Sequence, residues 1–220
     1  MAEVSLSSVP EQQVVVANDT IDVDPEGDVY FVLPGKKFLI SSKIVGNASR
    51  VLKAMLGPNF AEGKQVSSIQ PGRVPLAEDD DPEVMTTIFN VIHHRPQSEP
   101  LNNQASFLEK LAFTCDKYDC TTALSSWSSL LLGALMNDPY LSCWPNFDED
   151  GQILLAAYLF DDCRGFRQIT KRMIYNPTFQ SGFCHALGPK PFGLSKDVQA
   201  RLPTGLISVF CTSSSPIKRS

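Results

Sequence analysis

Residues 28–62, DVYFVLPGKKFLISSKIVGNASRVLKAMLGPNFAE, carry the pattern on which the fold turns. Val29, Phe31 and Leu33 alternate with their neighbours, and Phe38 and Ile40 alternate again after Pro34-Gly35. Period-two spacing on both sides of a turn dipeptide predicts a β-hairpin with one face of each strand in the core. A short helical piece is expected next, and Asn47 or Ser49 is placed to cap a second one. Val51, Leu52, Met55 and Leu56 fall at helical spacing after that cap, and Gly57-Pro58 stops the helix. The unit holds no obvious reactive constellation and reads as a scaffold that presents a surface.

The stretch resembles the opening of a BTB/POZ domain of the type abundant in filamentous fungi. That family opens with an acidic residue before a strand and continues F-x-[AV]-H-[KR]-x-x-L-x-x-x-S-x-x-F. Asp28 stands at the acidic position, and Phe38, Ile40, Val45, Ser49 and Leu52 stand at the F, A/V, L, S and final F positions. Ser41 and Ser42 replace the usual His-basic pair. Residues 74–95 and 108–120 continue the resemblance, so it covers the first 120 or so residues. It implies an α+β fold in which a small β-sheet packs against a cluster of short α-helices, followed by a helical extension. The implied organisation is a flexible tail over 1–27, the BTB/POZ-like domain over 28–125, the extension over 126–187 and a poorly defined tail over 188–220.

A hydrophobic content of 43% with 20% charged residues is that of a soluble globular protein. The net charge is −5 and the lysines and arginines are scattered, which argues against a nucleic-acid surface. No apolar run reaches the roughly 18 residues of a membrane span. The first 27 residues show no charged segment followed by an apolar one, so an intracellular protein, cytoplasmic or nuclear, with reduced thiols at its six cysteines is expected.

Along the chain, Val14-Val15-Val16 is a candidate edge strand, and residues 22–28 read as an acidic loop. Residues 73–76 read as a strand returning to the sheet. Asp80 or Asp81 is placed to cap a helix with Pro82 in its first turn and His93-His94 at its end. Phe107, Leu108, Leu111, Ala112, Cys115 and Tyr118 mark the apolar stripe of another helix. A third is expected to be capped by Thr121 or Thr122 and to end near Asn137-Asp138-Pro139. After a loop over 140–150, helices are expected over 152–160 and 163–175, and a short one over 195–202.

No metal or cofactor is expected. Cys115 and Cys120 are too far apart in sequence for a C-x-x-C knuckle, and adjacent His93 and His94 diverge by about 100° on a helix. Residues 146–157 mimic a calcium loop at Asn146, Asp148, Asp150 and Gly151, yet position twelve is Ala157 rather than a carboxylate. The nucleophile-elbow, phosphate-loop, dinucleotide and zinc-protease motifs are all missing. A binding protein, not an enzyme, is expected.

Its binding residues follow from the resemblance. Cullin-docking BTB domains carry a hydrophobic-x-Glu element where this chain has Phe60-Ala61-Glu62. Phe60 is then either an exposed anchor for a partner or a plug closing its helix against the core. Members commonly dimerise through the first helix and leading strand. Here that face offers Asp28 and, as its sizeable apolar residues, Ile44 and Val45. So modest a patch implies a weak homodimer in micromolar equilibrium. The expected role is recruitment of protein partners, including a cullin scaffold, as a ubiquitin-ligase substrate adaptor. The alternative is an oligomerising regulator of transcription without its own DNA-binding module.

Overall fold

The computed structural model describes residues 19–67, 69–96, 104–137, 147–175 and 200–204. Four strands form one sheet: β1 (Asp19–Asp22), β2 (Val29–Leu33), β3 (Lys36–Ile40) and β4 (Gly72–Pro75), in the order β1-β3-β2-β4. The expected hairpin is β2-β3, antiparallel with Phe31 opposite Phe38 and turning through Gly35 at φ +80°. β4 runs parallel to β2 and β1 parallel to β3.

The helices are α1 (Ser42–Ala48), α2 (Arg50–Met55), α3 (Pro82–Ile92), α4 (Ala105–Lys117), α5 (Thr121–Met136), α6 (Phe147–Leu159) and α7 (Cys163–Tyr175), with a 3-10 turn at Glu62–Gln65. The fold is mixed, with the sheet covered by helices as an α+β protein requires. Phe89 of α3 closes the sheet's inner face: its ring stacks on Phe31 at 5.5 Å and meets Phe38 edge-on at 5.2 Å.

Side-chain caps explain three of the helix starts. Ser49 accepts from the Leu52 amide and starts α2. Asp81 accepts from the Glu83 and Val84 amides and starts α3, with Pro82 in the first turn. Asp162 accepts from the Arg164 and Gly165 amides and starts α7. α5 departs from expectation, because its N-cap is Cys120, whose side chain makes no capping bond. α4 ends in a left-handed Asp119, with the Cys120 amide donating to the Cys115 carbonyl and the Asp119 amide to that of Asp116. That pair of bonds is the Schellman ending, and it leaves the chain already turned into α5.

Three expectations are corrected. Residues 19–22 do not belong to a tail. They add β1 to the sheet edge, and Arg95 fastens the strand's exit by donating from Nε to the Val23 carbonyl at 2.8 Å. The boundary at residue 125 falls inside α5, whose buried Leu124, Leu131, Leu132 and Leu135 join the same core as the sheet and as Ile153–Ala157 of α6. The loop over 140–150 gives way at Phe147 to α6, which packs along α4. The candidate strand at 14–16, residues 138–146 and most of 188–220 lie outside the described residues.

Candidate protein-docking surface

The residues that carry the BTB/POZ resemblance are interior ones. Phe38, Ile40, Val45, Ser49 and Leu52 are all buried. This corrects one of the expected binding residues: Val45 has no exposed surface and is part of the core, so of the apolar pair on α1 only Ile44, at 36% exposure, meets solvent. Adjacent residues on a helix point about 100° apart, and burying one turns the other outward.

Asp28 is committed within the chain. Its carboxylate accepts from both the amide and the hydroxyl of Ser42, each at 2.7 Å. The first turn of α1 is thereby capped from the start of β2, because the N-cap residue Ser41 makes no such bond itself. Ser41 instead donates its amide to Nε2 of His93 at 3.2 Å, while Nδ1 of His93 lies 2.9 Å from the Phe89 carbonyl. With Nδ1 donating and Nε2 accepting, both ring nitrogens are engaged by backbone. Burial holds this imidazole below its usual pKa, against smaller upward pulls from the Phe89 carbonyl and Asp24.

Phe60 lies on a turn fixed at both ends. Its amide donates to the Gly57 carbonyl at 3.2 Å, and farther on the Ser67 amide donates to the Asp28 carbonyl at 2.9 Å. Between them Gly63 folds back so closely that a Cβ there would lie 2.0 Å from the Gly57 carbonyl oxygen. The fold-back leaves the Phe60 ring outside, 51% exposed, with half-exposed Glu62 opening the 3-10 turn two residues later. Of the two readings of Phe60, the exposed one fits this geometry. Ile44, Val51, Phe60 and Ile69 make residues 44–69 the richest source of exposed large apolar side chains among the described residues, with Ile69 at 96%. Val51 and Ile69 escaped the sequence reading, since helical spacing grouped Val51 with Leu52, Met55 and Leu56, and no local pattern marks Ile69 as a surface residue.

A second surface lies where α3 begins. Asp79, Asp80 and Asp81 line the edge of a groove of about 850 Å³ whose wall is α4. Lys117 spans Asp79 at 3.1 Å and Asp80 at 2.8 Å, Tyr118 donates its hydroxyl to Asp80, and Lys110 meets Asp81 at 2.9 Å. Burial and the Asp80 carboxylate push the Tyr118 phenol well above its ordinary pKa. Burial pushes the Asp81 carboxyl upward, but Lys110 and the two α3 amides outweigh it and hold it below the usual range. Both Asp80 oxygens are occupied within the chain, which makes this cluster a pin between α3 and α4.

From Phe147 onward the calcium-like stretch is helical rather than a loop. Asp150 lies on α6, buried, in an ion pair with Arg172 of α7. Among the described residues no group of three or more His, Cys, Asp or Glu is placed to hold a metal ion, and no helix is long and apolar enough to cross a membrane.

No protein-family model matches the chain, and no curated protein is significantly similar to it.

Proposed function

We propose that this chain is a protein–protein interaction module of the BTB/POZ type, docking onto a partner through the turn at Phe60–Glu62. The partner is a cullin-type scaffold, for which the chain acts as a substrate adaptor. The observation that carries the proposal is the half-exposed Phe60 ring on a turn anchored to the Gly57 and Asp28 carbonyls, with Glu62 two residues on. A rigid aromatic anchor with a carboxylate at its rim is how a small surface gains affinity without ordering costs on binding. The succession of hairpin, two short helices, a strand parallel to the hairpin and further helices also supports a BTB/POZ-type reading. Self-association is a weak secondary property, since Ile44 stands without Val45 on the α1 face.

The test pairs thermal unfolding with calorimetric titration against a cullin scaffold for Phe60→Ala and Glu62→Ala. Both variants are expected to melt close to the parent and to bind more weakly, with Phe60→Ala losing about 2 kcal/mol or more. A Phe60→Ala protein that melts far lower, or variants that bind as the parent does, would exclude docking at this turn.

A further inference from the structure

The groove beside α3 and α4 already contains a ligand-like group from elsewhere in the chain. Among residues 200–204, only Leu202 is buried, and it joins the core. Its neighbour Arg201 lays its guanidinium over the ring of Phe113 on α4, with Cζ 3.8 Å from the ring centroid. Phe113, Leu159 and Arg201 all line the groove. The stack is a cation–π contact between an exposed guanidinium and a half-buried ring.

The charge around the ring explains why a cation sits there. Four carboxylates line the groove, those of Asp79, Asp80, Asp81 and Asp116, against two lysines, Lys110 and Lys117. The lysines are held by Asp79, Asp80 and Asp81. An aromatic face with two carboxylates in excess is complementary to one further planar cation, and Arg201 supplies it.

The contact is also small. Among the described contacts of residues 200–204, Leu202 is buried and Arg201 stacks on Phe113, the four residues other than Leu202 being exposed, and about 850 Å³ of groove stays open beside them. That is the footprint of a short linear motif on a preformed groove.

We propose that this groove is a recognition site for a short Arg-Leu peptide motif, occupied in this structure by the chain's own Arg201-Leu202. A partner segment with arginine followed by an aliphatic residue takes the same place, in competition with the intramolecular segment. The site is separate from the Phe60 turn and does not rest on the proposal made for that turn.

The test uses the full chain and a labelled synthetic peptide of residues 197–206, with binding read by fluorescence anisotropy. An internal occupant lowers the apparent affinity for an external one in proportion to the fraction of groove left free. The wild-type chain is therefore expected to bind the peptide at least about tenfold more weakly than an Arg201→Ala, Leu202→Ser chain. Arg201→Ala alone, at an exposed position that leaves the core intact, is expected to bind more tightly than the wild type. A peptide carrying Gln in place of the arginine is expected to lose binding to every chain. Equal binding by wild type and both variants, no binding by any chain, or undiminished binding of the Gln peptide would each overturn the proposal.

Discussion

The hydroxyl of Ser49 donates to the main-chain carbonyl of Tyr118 while accepting from the amide of Leu52. One buried side chain thus starts α2 and ties it to the end of α4, 69 residues away in sequence. It stands at the serine of the BTB/POZ-like pattern, which here is a structural position rather than a contact residue.

Ser49→Ala is therefore expected to cost about 1–3 kcal/mol, since it strands a buried carbonyl and an orphan helix amide together. Urea unfolding of the variant measures this. A loss under a few tenths of a kcal/mol would show that water or a shifted backbone satisfies both groups.

Stability is expected to fall in mildly acidic solution through His93. Burial depresses its pKa below the ordinary 6.5, with Arg95 and His94 adding to the depression and Asp24 opposing it. Between the folded value and 6.5 the unfolded chain binds more protons. The His93 contribution is then fully present above about pH 6.5 and lost as pH falls through the folded pKa. Protonation also removes the Nε2 lone pair that accepts from Ser41. Urea midpoints between about pH 7.5 and pH 5 should drop more steeply for the parent than for His93→Gln. Parallel profiles would remove His93 as the cause.

Gly63 is expected to resist any side chain. A Cβ at 2.0 Å from the Gly57 carbonyl oxygen meets backbone, which cannot swing aside as a flexible side chain does. Gly63→Ala should cost about 1–3 kcal/mol and move Phe60, so that partner binding weakens along with stability. Retained melting temperature and retained binding in this variant would contradict the fold-back as the element that sets the turn.

Asp150 and Arg172 should behave as a buried pair. Their side chains are 1% and 18% exposed, and among the described residues Nε and Nη1 of Arg172 are buried without a hydrogen-bond partner. Asp150→Ala removes the carboxylate bonded to the guanidinium, leaving the longer-range pull of Glu149, and is expected to cost about 3–5 kcal/mol. The double change Asp150→Leu, Arg172→Met removes both charges and should recover most of that loss. Chemical denaturation of the two proteins decides it: a double variant as unstable as the single one would mean that the pair itself, not charge balance, holds α6 to α7.

The sequence by itself determined the elements whose apolar residues repeat with one period. The β2-β3 hairpin, α3, α4 and α7 each have a face that must be buried, and caps such as Ser49 and Asp81 with Pro82 mark starts through local bonding. Only the tertiary structure decided the rest, because there the deciding partner is distant along the chain. β1, DTID, has no apolar alternation to reveal it and is held by ladder bonds to β3 and by Arg95. Asn146, Asp148, Asp150 and Gly151 have a loop's composition, yet Asp150 is tolerated in a buried helix because Arg172 arrives from α7. Ile44 and Val45 are chemically alike, and the packing of α1 against α2 and α3 chooses which one faces water. Phe60 sits between chain breakers that permit either direction, and the close approach of Gly63 to Gly57 leaves its ring outside. Phe113 and Arg201 share no local pattern at all. Their contact exists because long-range folding brings a cation to an aromatic face among carboxylates.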